Sequence, residues 1–308
     1  MPQLNKRFRI ALGLACLMAI ASPAFAAESA RVILLGSGTP IPDPARSGPC
    51  VAVVVNGKAY LFDAGAGVVR RAQAAAEKFG IAGLDATHLT RLFVTHLHSD
   101  HTLGYPDLML TPWVVGRSEP LEVYGPKGIS AMTDHLKQAY AADIQIRTGG
   151  LEGLNEEGLR VNVHEIEGAG VVYKDQNVTV RSIVVKHGSW AQAFGYEIDA
   201  GGRRIVISGD TAPVPSIVKA CNGCDVLVHE VYSEERFKLV FGASRGKYHR
   251  SFHTSTAELA ALAVQAKPKV LVLYHQLYFG PPEEVDLERE IHRTYGGTVI
   301  NGGDLTEY

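Results

Sequence analysis

The segment Thr95-His96-Leu97-His98-Ser99-Asp100-His101 constrains this chain more than any other, because it places four ionisable side chains directly behind the apolar run Arg91–Thr95. The run reads as a strand, so the segment is expected in the loop that leaves its carboxyl end. Side chains alternate along extended backbone, so His96 and His98 point the same way and can share one metal ion. Asp100 and His101, beyond the turn, can face a second ion beside the first. Imidazole nitrogens and carboxylate oxygens both bind zinc at about 2.0–2.2 Å. Buried without ions, such a cluster would leave costly unpaired polar groups, and a solvated loop would not start on a buried strand.

Other runs supply a frame for this loop. Arg31–Leu35, Val51–Val55 and Tyr60–Phe62 also read as strands, and Ala66–Lys78 and Ile129–Tyr140 as helices. The second half repeats the plan. Val178–Val185 is strand-like, and Phe194–Asp199 and Arg204–Ser208 flank Ala200-Gly201-Gly202 as a hairpin. Asp225–His229 and Val270–Tyr274 have the continuous apolar character of buried strands. Ser255-Thr256-Ala257-Glu258 is a capping box that opens a helix to about Ala266, stopped near Pro268. No linker divides residues 27–308, so we expect one domain of two sheets packed face to face, with helices outside.

The amino-terminal residues carry a different message. Lys6, Arg7 and Arg9 precede the apolar run Ile10–Ile20, followed by Ser22-Pro23 and Ala24-Phe25-Ala26. This order describes a signal peptide over residues 1–26, cleaved near Ala26, and predicts a periplasmic or secreted protein. The run is shorter than the roughly 20 residues a bilayer requires, so no membrane anchor is expected. In an oxidising compartment Cys221 and Cys224 could close a small disulfide, with free, partly buried thiols as the alternative. The formal net charge of −2 does not suggest the broad basic surface of a nucleic-acid binder, and nucleic acid is not expected as a partner.

His-x-His-x-Asp-His at the end of a strand resembles the metal motif of the metallo-β-lactamase superfamily. The resemblance implies an α/β fold, a four-layer αβ/βα sandwich of two mixed sheets with a two-metal site along one edge. It implies that His187 joins His96 and His98 on one ion, and that His275 joins Asp100 and His101 on the other. Asp210, in Ser208-Gly209-Asp210-Thr211, would be shared between them. Nitrogen-rich donors favour Zn2+, with Mn2+ and Fe2+ as the alternatives. Two such ions about 3.5–4 Å apart can generate a hydroxide at neutral pH and polarise the bond it attacks.

Further passages narrow the resemblance to the ribonuclease Z branch, which also holds phosphodiesterases and secreted arylsulfatase-like enzymes. They are Leu34-Leu35-Gly36-Ser37-Gly38-Thr39-Pro40, Leu61-Phe62-Asp63-Ala64-Gly65-Ala66-Gly67 and Val123-Tyr124-Gly125-Pro126-Lys127-Gly128-Ile129. His229-Glu230 followed by Ser251-Phe252-His253-Thr254-Ser255-Thr256 completes the set. The branch implies that Glu230 and His253 pair beside the scissile bond, the carboxylate keeping the imidazole protonated for the departing oxygen. Asp100 would also orient or deprotonate the attacking water, and His229 would lie behind the ligands. Enzymes of the branch that process tRNA carry a long arm, commonly between the positions of His187 and Asp210. Here that interval holds only the hairpin Phe194–Ser208.

The resulting expectation is an exported dinuclear hydrolase acting on a small anionic phosphodiester or sulfate ester. A ribonuclease Z-like endonuclease and a β-lactamase or lactonase are the alternative enzymes, and a non-catalytic metal-binding scaffold the alternative class. Family habit implies a homodimer. Between Glu230 and His253, the residues Arg236, Lys238, Arg245, Lys247 and Arg250, interleaved with Phe241 and Tyr248, could cover the site and attract an anion; a solvated loop is the alternative. Trp190 could line an aromatic leaving-group pocket or belong to the core.

Overall fold

The computed structural model describes residue 2 and residues 29–242 and 246–308. The signal-peptide segment and Arg245 lie outside the described residues. In the first half, β1 (Arg31–Gly36), β2 (Cys50–Val55), β3 (Lys58–Phe62), β4 (Arg91–Phe93), β5 (Leu121–Pro126) and β6 (Val161–Ile166) follow one another. In the second come β7 (Gly170–Lys174), β8 (Val178–Val184), β9 (Phe194–Ala200), β10 (Arg203–Ile207), β11 (Val226–Tyr232), β12 (Val270–Leu277) and β13 (Thr298–Asn301). The final strand, β14 (Thr306–Glu307), returns to the first sheet beside β1. The two seven-stranded sheets run β14-β1-β2-β3-β4-β5-β6 and β13-β12-β11-β10-β9-β8-β7.

Both sheets are mixed. β1 to β3 pair antiparallel and β3 to β6 parallel; β7 to β10 pair antiparallel and β10 to β13 parallel. Strand alternation explains the layering, because successive side chains face opposite sides of a sheet. Val32, Leu34, Val51, Val53, Tyr60 and Phe62 point inward and meet Val180, Tyr196, Ile198, Ile205, Val226 and Val272 of the second sheet. Their neighbours Ile33, Ala52 and Leu61 point outward under the helix Val68–Phe79. On the far side Val206, Leu227 and Leu271 lie under the helix Thr256–Ala266. The result is the expected four-layer αβ/βα sandwich. Among the described residues no helix is long and apolar enough to cross a membrane.

The strand and helix expectations hold with small shifts at their ends, and three differences matter. The segment after Glu230 is not an open loop but carries the helices Glu234–Phe241 and Lys247–Phe252. β11 and β12 run further than their apolar cores suggested, so Glu230 and His275 lie within strands rather than beyond them. His275 is a bulge: Glu230 pairs with Tyr274 and Val231 with Gln276, and His275, at φ 46°, is skipped. A bulge re-aims one side chain without ending the strand. Cys221 and Cys224 are bonded to each other, whereas Cys50 is a buried free thiol.

Candidate active site

The parallel core of each sheet delivers its carboxyl ends to one edge, and the candidate ligands collect there. His96 and His98 follow β4, His187 follows β8, Asp210 follows β10, and the bulge in β12 supplies His275. Nδ1 of His98 lies 3.0 Å from Nε2 of His96 and 3.0 Å from Nε2 of His187. Asp100 Oδ2 lies 3.1 Å from His275 Nε2 and 3.5 Å from His101 Nε2. Between these two groups sits a single oxygen. Asp210 Oδ2 is 4.0 and 3.9 Å from Nε2 of His96 and His187, and 3.4 and 3.5 Å from Nε2 of His101 and His275.

This arrangement fits metal ions. Donors about 2.0–2.1 Å from a tetrahedral ion lie about 3.3 Å from one another, close to the spacing of the three histidine nitrogens. The buried Nε2 of His101 and Oδ1 of Asp210 have no hydrogen-bond partner, which is costly unless a cation occupies the space they face. The clusters able to hold an ion are His96–His98–His187–Asp210 and Asp100–His101–His275, with Asp210, His253 and His275 a third, overlapping group.

Hydrogen bonds on the far side of the imidazoles choose their tautomers. Nδ1 of His101 donates to Asp63 Oδ2 at 2.8 Å, and Nδ1 of His187 donates to the carbonyl of Phe252 at 2.7 Å. Asp63 is itself held by the amide and hydroxyl of Thr95 at 2.7 and 2.9 Å, and that hydroxyl meets His96 Nδ1 at 2.9 Å. In these three rings the proton therefore sits on Nδ1 and leaves Nε2 facing the cluster as a metal donor, whereas His98 faces it through Nδ1. Asp63 and Thr95 were missed as site residues at the sequence level. Asp63 lies in a passage quoted only for its family likeness, and its partner is 38 positions away in sequence.

The electrostatics follow from burial and crowding. Burial keeps His96 well below its ordinary value, reinforced by His101, and pushes His187 down to about 4. Burial would also depress His101, but the carboxylates of Asp210 and Asp63 outweigh it and raise the ring well above its ordinary value. For Asp210 burial is outweighed in the opposite sense, His275 and His101 holding it well below the carboxylate range. His253 Nδ1 stands 3.3 Å from Glu230 Oε2 and 3.9 Å from Asp210 Oδ2, close enough for ion pairing although the 3.3 Å approach lacks hydrogen-bond alignment. Burial raises Glu230, and His253 is raised because Glu230 overcomes its burial. His229 lies behind Glu230, its Nδ1 donating to the Glu230 carbonyl at 2.6 Å, and burial lowers it to about 4.

Among the described basic residues after Glu230, three are engaged with other groups of their own segment or its surroundings. Arg236 pairs with Glu284, Lys238 with Glu234 at 2.7 Å, and the Arg250 guanidinium lies over the Phe237 ring. Trp190, by contrast, is beside the ligands, its Nε1 2.8 Å from Nε2 of His98.

A buried carboxylate oxygen shared by two histidine-rich clusters, at the common edge of an αβ/βα sandwich, defines a metal-dependent hydrolase of the β-lactamase fold. Residues 58–276 match the model of the β-lactamase superfamily domain, and the chain belongs to the metallo-β-lactamase superfamily, in the branch of the ribonuclease Z enzymes. Ribonuclease Z of Mycobacterium marinum is 34% identical over 279 residues, covering 89% of this chain and 96% of that protein. Its counterpart in Mycobacterium bovis is 33% identical with the same coverage. Among solved structures, the metallo-β-lactamase fold protein YhfI from Bacillus subtilis superposes with a TM-score of 0.68 at 17% identity, over 91% of this chain and 98% of that one. Human tRNase Z, short form, gives 0.66 at 23% identity, over 90% and 98%. These likenesses carry the fold.

The relatives correct the expectation that nucleic acid is not a partner. That expectation rested on net charge, on the missing arm and on a signal peptide leading away from tRNA precursors. Proteins named ribonuclease Z align with this chain over 279 positions and 96% of their own length, so they hold no long arm that this chain lacks. Net charge is also the wrong quantity for a site of this kind, because bound divalent ions concentrate positive charge where the substrate meets the protein.

Proposed function

We propose that this chain is a two-metal phosphodiesterase that hydrolyses RNA, with zinc as the metal its donors fit best. One observation carries the reading: Asp210 Oδ2 stands within 4.0 Å of histidines from both clusters. Its relatives named ribonuclease Z support RNA as the substrate class. His96, His98 and His187 would hold one ion, Asp100, His101 and His275 the other, and Asp210 both. Bound there, the ions would supply a water acidic enough to ionise near neutral pH and polarisation of the phosphoryl oxygen.

The chain's own groups do the rest. Asp100 turns Oδ2 toward His275, and its Oδ1 accepts the proton of the attacking water. Glu230, fully buried and held at Oε1 by the Thr254 amide at 2.8 Å, keeps His253 protonated. His253 Nε2, the ring nitrogen turned away from both carboxylates, donates to the leaving oxygen. Residues 6–26 support export, and the Cys221–Cys224 disulfide suits an oxidising compartment, so the RNA would be met in the periplasm or outside the cell.

The test is to load the purified protein with zinc and assay a short RNA, bis(p-nitrophenyl) phosphate and p-nitrophenyl sulfate side by side. Cleavage of the RNA and of the diester is expected. Turnover of the sulfate ester without RNA cleavage overturns the proposal, and recovery of the uncleaved chain in the cytoplasmic fraction overturns its placement.

A further inference from the structure

Two large aromatic side chains stand partly open to solvent beside the metal ligands, and a continuous series of rings connects them. Trp190 is 37% exposed, and its ring centroid lies 5.1 Å from that of His98. His98 is nearly parallel to Phe252, 18° between planes at 6.1 Å. Phe252 stacks in turn on Tyr248, 27° at 4.3 Å, and Tyr248 is 54% exposed. Of its inner members, His98 is a half-buried candidate ligand and Phe252 a buried ring packed against His98 and His187. Of the two at its ends, Trp190 packs against His98 and His96, yet both it and Tyr248 leave part of a ring open to solvent and so forgo burial that an aromatic side chain would otherwise gain.

The segments carrying these rings are locked together. His187 donates to the Phe252 carbonyl at 2.7 Å, and the Gly188 amide donates to the Ser251 carbonyl at 2.8 Å. Gly188 has φ 54°, and a Cβ there would come within 2.0 Å of the Phe252 ring, so only glycine permits the approach. Trp190 itself is tied back by its amide to the His187 carbonyl at 3.0 Å. Tyr248 reaches the cluster through Phe252, whose ring it covers at 4.3 Å and which itself lies 4.8 Å from His187 and 6.1 Å from His98. Both exposed rings are thus held at the ligands by backbone contacts of the site itself.

We infer that Trp190 and Tyr248 offer two separate stacking faces, a divided clamp, for the nucleobases on either side of the scissile phosphate. The inference rests on the phosphodiesterase reading and adds what the site grips: a planar base, recognised by its face rather than its edge. Every base offers a π-face, so such a clamp tolerates sequence while demanding an unpaired nucleotide. It also gives a near-neutral protein a way to hold RNA without a broad basic surface.

The test compares binding and cleavage of a short single-stranded RNA with those of the same RNA carrying abasic residues on both sides of the cleaved bond. The zinc-loaded wild type is expected to prefer the base-bearing RNA by about 10- to 100-fold in Kd. That preference should shrink toward unity in W190A and Y248A and return in W190F and Y248F, with bound zinc measured in each. A wild type that binds both RNAs equally, or alanine variants that keep the full preference, overturns the clamp. The two readings separate cleanly: cleavage without base preference removes the clamp and leaves the phosphodiesterase, whereas base preference in binding without cleavage does the reverse.

Discussion

Asp210 illustrates what one residue decides here. Among the described residues its Oδ2 is the side-chain oxygen that stands within 4.0 Å of histidines from both clusters. Asp210→Ala is therefore expected to lose bound metal and turnover together, read by elemental analysis and by diester hydrolysis. Asp63 makes a subtler case. Asp63→Asn keeps the size of the side chain but weakens the acceptor for His101 Nδ1, and metal affinity should fall about 10- to 100-fold. His101 also links metal to pH. Although burial opposes it, Asp210 and Asp63 raise its value, so in the metal-free ring a second proton, on Nε2, is held to higher pH than on an ordinary imidazole, and metal must displace it. Affinity then falls as pH falls, and proton release fades once pH exceeds the raised value. Titration calorimetry in buffers of different ionisation enthalpy measures this directly; no proton release at pH 7 would refute it. The four candidate ligands of the first motif could be read from spacing alone, whereas His187, Asp210 and His275 needed a family likeness. Asp63 and the Phe252 carbonyl were not legible, because they join the site through contacts between segments far apart in sequence.

At the level of elements, local rules served well where the element answers to local sequence. The capping box at Ser255 was visible as Ser-x-x-Glu and is formed as expected, each side chain meeting the other residue's amide. Ser255→Ala should cost about 1 kcal/mol in chemical denaturation. The bulge at His275 was invisible, since an apolar run does not announce which residue the ladder will skip. The helix Lys247–Phe252 was equally hidden: it is short, polar in composition, and held by what it touches rather than by its own propensity. Gly188 is the contact that admits it. Gly188→Ala, at a positive φ and against the Phe252 ring, should displace that helix and reduce RNA cleavage more than it lowers the melting temperature. Equal melting temperature and equal activity would refute this docking.

Across the whole molecule, the two sheets share one inner core, and both contribute ligands to one centre. His96, His98, Asp100 and His101 follow the first sheet, and His187, Asp210 and His275 belong to the second. Metal bound there ties the halves together and adds to folding stability by mass action. With free metal at about a hundred times its Kd, chelation should lower the melting temperature by roughly 5 °C or more. An unchanged melting temperature after EDTA would show that the ligands do not engage an ion.

The division of ligands between the sheets bears on where the ion comes from. Neither half alone can assemble either complete cluster with its shared oxygen, so the centre exists only after both have folded against each other. If the chain is exported as proposed above, and in extended form, it would arrive empty, and the metal it acquired would be whatever its destination provides. Its cofactor would then be a property of the compartment as much as of the sequence.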